Sequence, residues 1–497
     1  MGAPRLLAGA LATLSLAGCV VGPNYRAADP PTPAAWSERA GGRPGETLST
    51  VASDAPPPDR WWAQLNDPAL DGLVRRALAD NLTLAQARAR VRQAREQLSV
   101  ARAARLPTLA TTTTAARVDT QASTVSGLGG AGGAAGGGQT TAGPASGGFS
   151  TPNRAEYFSL GLNAAWEIDL FGGVRRREES ARAQAEAAVW SRRDTETSVI
   201  SEVANAYLQL RAAQSRAAVL REDLQRQEGL FKLVGDRFRT GFVTNLDVDR
   251  QRTELADVQS QIPMVEAEAD AQAHALAVLV GQTPEALYAE LSPPRPLPAA
   301  PPRVPAGLPS ELLRRRPDIR AAERRLAAAY ADIGVARAAQ FPTLNLSLLP
   351  SYSRLAIGDM FQPPTRTLVS LAQGSAPIFQ GGRLKAQVRL REAARDEAFA
   401  AYKAVALQAL REVEDAIVRY QADQKRWTAL TAAYAAAQSS QAIARQQYAA
   451  GLVTYADVYQ AEGSLNRIRD QLTQVDAALA GDVVALYKAL GGGWSED

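Results

Sequence analysis

A chain of 497 residues with a single Cys and a single His has no disulfide framework, no cysteine-based metal site and little of the usual acid–base equipment. Its formal charge of +4 comes from 55 basic and 51 acidic side chains spread along the chain, which is no nucleic-acid footprint. No stretch reaches the roughly 18 apolar residues of a membrane-spanning helix.

The N-terminus carries Arg5 and then the apolar run Leu6–Leu16, the pattern of a secretory signal. Leu16-Ala17-Gly18-Cys19 places the only cysteine where a bacterial lipoprotein is cleaved and lipidated. Residues 1–18 are therefore read as a signal peptide and Cys19 as a lipid site. A lipid chain buries methylenes at about 0.8 kcal/mol each, so Cys19 would tether the chain to a membrane. Residues 19–66 are rich in Pro, Gly, Ser and Ala, and read as an extended leader.

A first repeat is expected over residues 67–291. It opens with one helix from Pro68 to Arg105, with Leu73, Ala77, Asn81 and Leu84 near one face and Pro107 ending it. A short Thr-rich segment, Thr108–Arg117, leads to the Gly-rich run 126–148. That run lacks a P-loop Lys-Ser/Thr and reads as a loop. From Tyr157 to Leu170, Phe158, Leu160, Leu162, Ala164, Trp166, Ile168 and Leu170 alternate with Ser, Gly, Asn and acidic residues. So long an alternation suits a membrane β-strand, with lipid on one face and water on the other. A half-buried strand in a soluble sandwich is the competing reading. Four such strands cannot close a membrane barrel, where edges are forbidden, so several chains would have to pool them.

Arg175–Arg239 is a Pro-free helix that would extend on the order of 100 Å. Ile200, Val203, Tyr207 and Leu210 form a 3-4-3 seam continued by Gln214. Gly241 suits a left-handed helix stop, and Thr244 with Asp247 a capping-box start, for a returning helix over Leu246–Gly281. His274 lies on that Ala-rich helix with no catalytic motif around it. The Pro-rich stretch 292–309 is the expected linker.

The second repeat, residues 310–491, runs through the same elements. They are a helix over Glu311–Gln340, alternation at Thr343–Leu348, a looser strand at Arg366–Phe379 and a long helix over Gly382–Ala450. That helix repeats the seam as Leu410, Val413, Ile417 and Tyr420, then Gln424, Trp427 and Tyr434. Gly451, Thr454 and Asp457 repeat the turn, Tyr455–Leu490 the return, and 492–497 is a tail. The copies are visible as letters. VARAARLPTL at Val100 and VARAAQFPTL at Val335 lie 235 positions apart, whereas Gly241–Val248 and Gly451–Val458 lie 210 apart. The first copy is thus longer by about 25 residues, between Leu109 and Glu202, where the Gly-rich run sits. A unit this long is a duplicated half-molecule, not a solenoid repeat.

Gly18-Cys19-Val-Val-Gly-Pro-Asn-Tyr25, Trp61-Trp62 with Leu65-Asn-Asp-Pro68, Leu312–Ile319, Phe379-Gln-Gly-Gly-Arg383 and Leu490-Gly-Gly-Gly-Trp494 together carry a resemblance. The chain resembles the TolC-like outer-membrane channels, in the NodT-type lipoprotein branch that serves resistance-nodulation-division efflux pumps. The resemblance spans essentially the whole mature chain. It implies an α+β membrane protein and a homotrimer. Four strands from each chain would form an outer-membrane β-barrel, continued by a long periplasmic α-helical barrel of coiled-coil hairpins. It implies as partners a periplasmic adaptor and an inner-membrane pump, with outer-membrane lipid around the barrel, no nucleic acid, no cofactor, no metal and no catalysis. A type I protein-secretion channel, and a pore-less lipid-anchored periplasmic scaffold, are the alternatives.

In such channels the periplasmic tip is both the gate and the adaptor contact. The resemblance places it here at Thr240–Arg250 and Ala450–Gln460, with Gly241, Thr244, Asp247, Asp249, Arg250, Gly451, Thr454, Ala456, Asp457 and Gln460 as candidates. The Leu and Asp that form constriction rings in better-known members fall on Ala456 and Gln460. A carboxylate ring at that level would have to come from Asp247, Asp249 or Asp457 instead. Helix capping is the competing role for Asp247 and Asp457.

Overall fold

The computed structural model describes residues 20–27, 58–119, 154–300, 304, 314–354 and 365–494. Cys19 and the Gly-rich run 126–148 lie outside the described residues. A 3-10 turn, Trp61–Leu65, precedes helices α1 (Pro68–Asp80) and α2 (Leu82–Ala103). Strands β1 (Thr108–Asp119) and β2 (Arg154–Ile168) follow, then α3 (Gly173–Arg239) and α4 (Asn245–Leu279). The second half gives α5 (Pro317–Ala338), β3 (Thr343–Arg354), β4 (Thr365–Ser375), α6 (Arg383–Ala449) and α7 (Tyr455–Ala489).

The duplication is exact in the bounds of four pairs of elements. α2 with α5 and β1 with β3 keep the 235 offset, and α3 with α6 and α4 with α7 keep the 210 offset. The change therefore falls between Asp119 and Gly173, and the extra length belongs to the β1–β2 connection or to β2 itself.

The single helix expected over Pro68–Arg105 is two. Asn81 leaves the helical region at ψ 127°. Its Oδ1 accepts the Leu84 N–H at 2.9 Å, and its Nδ2 donates to the Leu279 carbonyl at 2.8 Å. A side chain that matches the apolar spacing is in fact a cap, the role for which Asn is suited. At the other end of α1, Asp67 accepts the Ala69 N–H at 2.8 Å, with Pro68 in the first turn. The expected strands also stop sooner, β2 at Ile168 and β4 at Ser375, because the following Gly-rich corners start α3 and α6.

The chain divides into two compact units. One holds all four strands, as an antiparallel sheet in the order β1-β2-β3-β4. Its register puts Leu109 opposite Ala164, Leu160 opposite Tyr352 and Trp166 opposite Leu346. Opposed residues share a face, so these side chains make one apolar face, and it is exposed: Leu109 70%, Leu160 56%, Trp166 40%. The other face carries Thr112, Ser159, Asn163, Glu167, Asn345 and Ser347. β4 departs from the pattern, with Val369 and Leu371 on the polar face.

In the same unit the leader is docked. The Val21 N–H donates to the Phe171 carbonyl at 3.1 Å. The buried Arg176 donates to the carbonyls of Val21 and Gly22, both at 3.2 Å. Gly22, at φ 101°, lies so close to α5 that a Cβ would meet the Gly334 Cα at 2.6 Å.

The second unit is helical. Its core joins Trp61, Leu70, Leu73 and Val74 to the seam residues Ile200, Val203, Tyr207 and Leu210 of α3, and to Val413, Ile417 and Tyr420 of α6. Trp61 stacks on Tyr487 at 5.2 Å. The seam residues therefore bury against a mixed core of several helices. Gln214 is buried and donates to the Leu291 carbonyl, but Trp427 departs from the expected seam. The α7 residue facing it is Asp476, which takes its indole N–H at 2.7 Å, so the ring stays at the surface.

Candidate functional site

The two helix turns sit in the helical unit and share one construction. Gly241 (φ 78°) and Gly451 (φ 76°) take the left-handed conformation just past α3 and α6. The next N–H closes back in each case, Phe242 to Arg237 and Leu452 to Gln447, both at 2.9 Å. The Asp247 carboxylate then accepts from the N–H and hydroxyl of Thr244 at 3.1 and 2.9 Å. Asp457 does the same for Thr454 at 2.9 and 2.7 Å. Both are capping boxes. The Thr454 hydroxyl, and then its N–H, hold the Asp457 carboxyl below the usual range.

Asp249 is a shared carboxylate, accepting from Asn245 at 2.9 Å and from Arg252 at 2.7 Å. Arg250 approaches Asp247 at 3.9 Å. Ala456 and Gln460 are both exposed. The carboxylates of both turns are thus engaged locally, and Ala456 and Gln460 offer no charge.

Sequence reasoning missed what joins the turns. Tyr455, in the first turn of α7, donates its hydroxyl to the buried Gln251 of α4, and Gln251 donates to the Gln227 side chain of α3 at 2.7 Å. The Arg237 guanidinium of α3 lies 4.1 Å over the Tyr448 ring of α6 and donates to the Ala449 carbonyl at 3.2 Å. Leu230, Val234, Val248, Tyr448, Tyr455 and Val458 close a small apolar cluster between the hairpins. Burial, and then the neighbouring Tyr459 and Glu254, push the Tyr455 hydroxyl well above its ordinary range. Farther up, Arg216 pairs with Asp470 at 2.9 Å, and Arg469 pairs with Glu222. The signal that could have found this joint is a mismatch between the copies: Asn245 stands where the second copy has Tyr455, and Asp249 where it has Tyr459.

His274 is exposed on α4. Among the described residues no group of three or more His, Cys, Asp or Glu is placed to hold a metal, and no helix is long and apolar enough to cross a membrane. The membrane-facing feature is the sheet. Its exposed apolar face suits lipid, and a pore-less scaffold has no use for it.

The outer membrane efflux protein family matches residues 73–282 and 308–492. The pyoverdine export outer membrane protein OpmQ of Pseudomonas aeruginosa is 34% identical over 465 residues, covering 94% of this chain and 92% of that protein. The outer membrane protein OprJ of the same species is 31% identical, covering 98% of this chain and 95% of its own length. The solved structure of the outer-membrane channel OprN superposes with a TM-score of 0.82 at 34% identity, covering 96% of this chain and all of that one.

Proposed function

The chain belongs to the outer membrane efflux protein family, and from that premise we propose how its parts make a conduit. It is an outer-membrane channel of tripartite efflux, a family and fold that are not those of an enzyme. Three copies close one barrel, with the free edge of β1 in each chain pairing with the free edge of β4 in the next. The observation that carries this is the sheet: four strands with an exposed apolar face, whose two outer edges have no neighbour within the described residues. Unpaired backbone cannot stand in lipid, so the edges must find each other.

The two helix turns form the gate and the surface met by the adaptor, in line with the joint built by Tyr455, Gln251 and Gln227. Lipidated Cys19 anchors each chain, and the docked residues 20–22 hold the attachment point beside the start of α3. The pyoverdine-exporting relative makes a siderophore export assay the first cargo test.

The barrel closure is tested with paired cysteines, Thr112→Cys on β1 and Leu371→Cys on β4, in a panel that steps the register. Oxidation should give a ladder that ends at three chains in denaturing gels. A ladder ending at two, or linkage confined to single chains across the whole panel, overturns it.

A further inference from the structure

Two apolar clusters share the long helices, and a polar waist separates them. Toward the turns, Leu230, Val248 and Val458 belong to the small cluster. At the other end, Leu220, Val265 and Ala480 belong to the main core. Neither cluster includes a residue from 221–229 of α3, 249–261 of α4 or 459–478 of α7. A cavity of about 260 Å³ opens at this level, lined among others by Asp223, Arg226, Glu254, Asp257 and Asn466. Arg226 Nε and Asn466 Nδ2 are buried there without a hydrogen-bond partner. What crosses from α3 to α7 is ionic, Arg216 to Asp470 at 2.9 Å and Arg469 to Glu222. Such partly exposed pairs contribute little, and their long side chains can follow a shift that close-packed apolar contacts resist.

The backbone of the first hairpin is weak at both ends of this waist. Pro263 lies inside α4. It has no N–H for the Gln259 carbonyl one turn earlier, and its ring crowds that carbonyl. Gly229 lies inside α3 with nothing within 4 Å of its Cβ position. Packing within the chain does not call for it, and it weakens the helix relative to Ala. The buried Gln227–Gln251 contact joins α3 to α4 between these two points and locks neither.

The second hairpin is built differently. At the 210 offset Pro263 becomes Thr473 and Gly229 becomes Ser439, and neither α6 nor α7 contains a proline. Its cross-link is charged: Glu462, 3% exposed on α7, takes the Gln441 amide at 2.7 Å and the Arg445 guanidinium, both from α6. The first copy has Arg252, Phe231 and Gly235 at those places and cannot make it. Gly463 is the one glycine of the second hairpin in this stretch, and it adjoins Glu462.

We propose that the first hairpin is the one that bends, α4 at Gln259–Pro263 and α3 at Gly229, while the second stays straight. Sharp bends in helices fall at prolines and glycines, and a hinge needs a stretch with few packed contacts around it. The consequence for conduction rests on the reading of the turns as the gate; the bend itself does not.

Hydrogen exchange of the detergent-solubilised full chain, read as protection factors, tests the bend. Amides of α4 beside Pro263 and of α3 beside Gly229 should exchange about tenfold or more faster than those at the matched positions of α7 and α6. Pro263→Ala combined with Gly229→Ala, both favourable to helix, should remove that excess. Gly463→Ala should leave the first hairpin's exchange unchanged. Equal protection of the two hairpins in wild type overturns the proposal, as does an excess that survives the double variant. Single-channel recording in a Tyr455→Phe background, which lacks the hydroxyl contact to Gln251, tests the consequence. Adding Pro263→Ala and Gly229→Ala should lower its open probability about tenfold. An open probability that stiffening leaves untouched overturns the bend's part in gating. A Tyr455→Phe channel that opens no more than wild type counts against the gate reading, and the exchange result then decides the bend.

Discussion

The Tyr455 hydroxyl donates to Gln251, a contact between residues 204 positions apart that joins the second helical hairpin to the first. Gln251 is 1% exposed and passes the contact on to Gln227, so three helices meet in one buried polar chain. Such chains are costly to leave half satisfied.

Tyr455→Phe removes the hydroxyl and strands the Gln251 oxygen, at a cost of about 1–3 kcal/mol. If the turns gate the channel, that loss falls on the closed arrangement. Single-channel recordings should show higher open probability or conductance, and cells should admit large antibiotics they normally exclude. Tyr455→Phe combined with Gln251→Leu, which removes the stranded oxygen as well, should open the channel by a similar route with less loss of thermal stability. Recordings indistinguishable from wild type for both variants would take this joint out of the gate.

Removing the pair together, Asp249→Asn with Arg252→Gln, should leave ion selectivity unchanged. The carboxylate already accepts from Asn245 and Arg252, so its field at the turn is largely cancelled. A drop in cation preference in bilayer recordings would restore Asp249 as a selectivity residue.

Asp457 has a different dependence. Its carboxyl is held below the ordinary value of 3.8 by Thr454. A depressed acid stabilises the fold above its unfolded pKa, and that contribution is lost as pH falls through the lower, folded value. Hydrogen exchange in the first turn of α7 should therefore quicken only below about pH 4. Asp457→Asn should show the quickened exchange already at neutral pH. Unchanged exchange in that variant would leave the capping box without consequence.

The repeat was legible because duplication preserves spacing: α2 and α5, or α3 and α6, begin and end at matched positions. The exposed apolar face of β2 was legible for the same kind of reason, since a strand alternates whatever surrounds it. What escaped were features fixed by distant partners. Asn81 fits the helical spacing of Leu73 and Ala77, and only the Leu279 carbonyl and the Leu84 N–H reveal it as a cap. At the turns the copies also differ at Leu246/Ala456 and Arg250/Gln460, 210 positions apart, whose side chains are all exposed. The residue that reaches the other hairpin is Tyr455, one place away.

Asp482 on α7 gives the helical unit a pH response. Burial, and then the Asp423 carboxyl on α6, push its pKa up to about 7, with Arg419 pulling the other way. The protonated form is the one that suits the fold. Its contribution is complete below the ordinary value of 3.8 and is lost as pH rises through about 7. The melting temperature of wild type should therefore fall between pH 5 and pH 8. Asp482→Asn, which holds the neutral shape at every pH, should flatten that fall. An equal slope in the variant would place the pH response elsewhere.

The docked leader makes the last prediction. Gly22 at φ 101° has no room for a side chain, since a Cβ would sit 2.6 Å from the Gly334 Cα, a backbone atom that cannot swing aside. Gly22→Ala thus meets both a left-handed backbone and a collision, at about 1–3 kcal/mol. The contacts at stake are the Val21 N–H to Phe171, the two carbonyls held by Arg176 and, beside the cut site, the Tyr25 hydroxyl to Glu323 at 3.0 Å with its ring on Tyr330 at 5.6 Å. A penalty of that size should release the segment without unfolding the helices. Limited trypsin digestion should then cut after Arg26 about tenfold faster or more, from the same free energy. Gly229→Ala is the matched control. Nothing lies within 4 Å of its Cβ position and Ala favours the helix, so its cleavage rate should equal that of wild type. Equal rates in Gly22→Ala would mean that residues 20–22 rest on α3 and α5 without being held there, and that some other contact fixes the anchor.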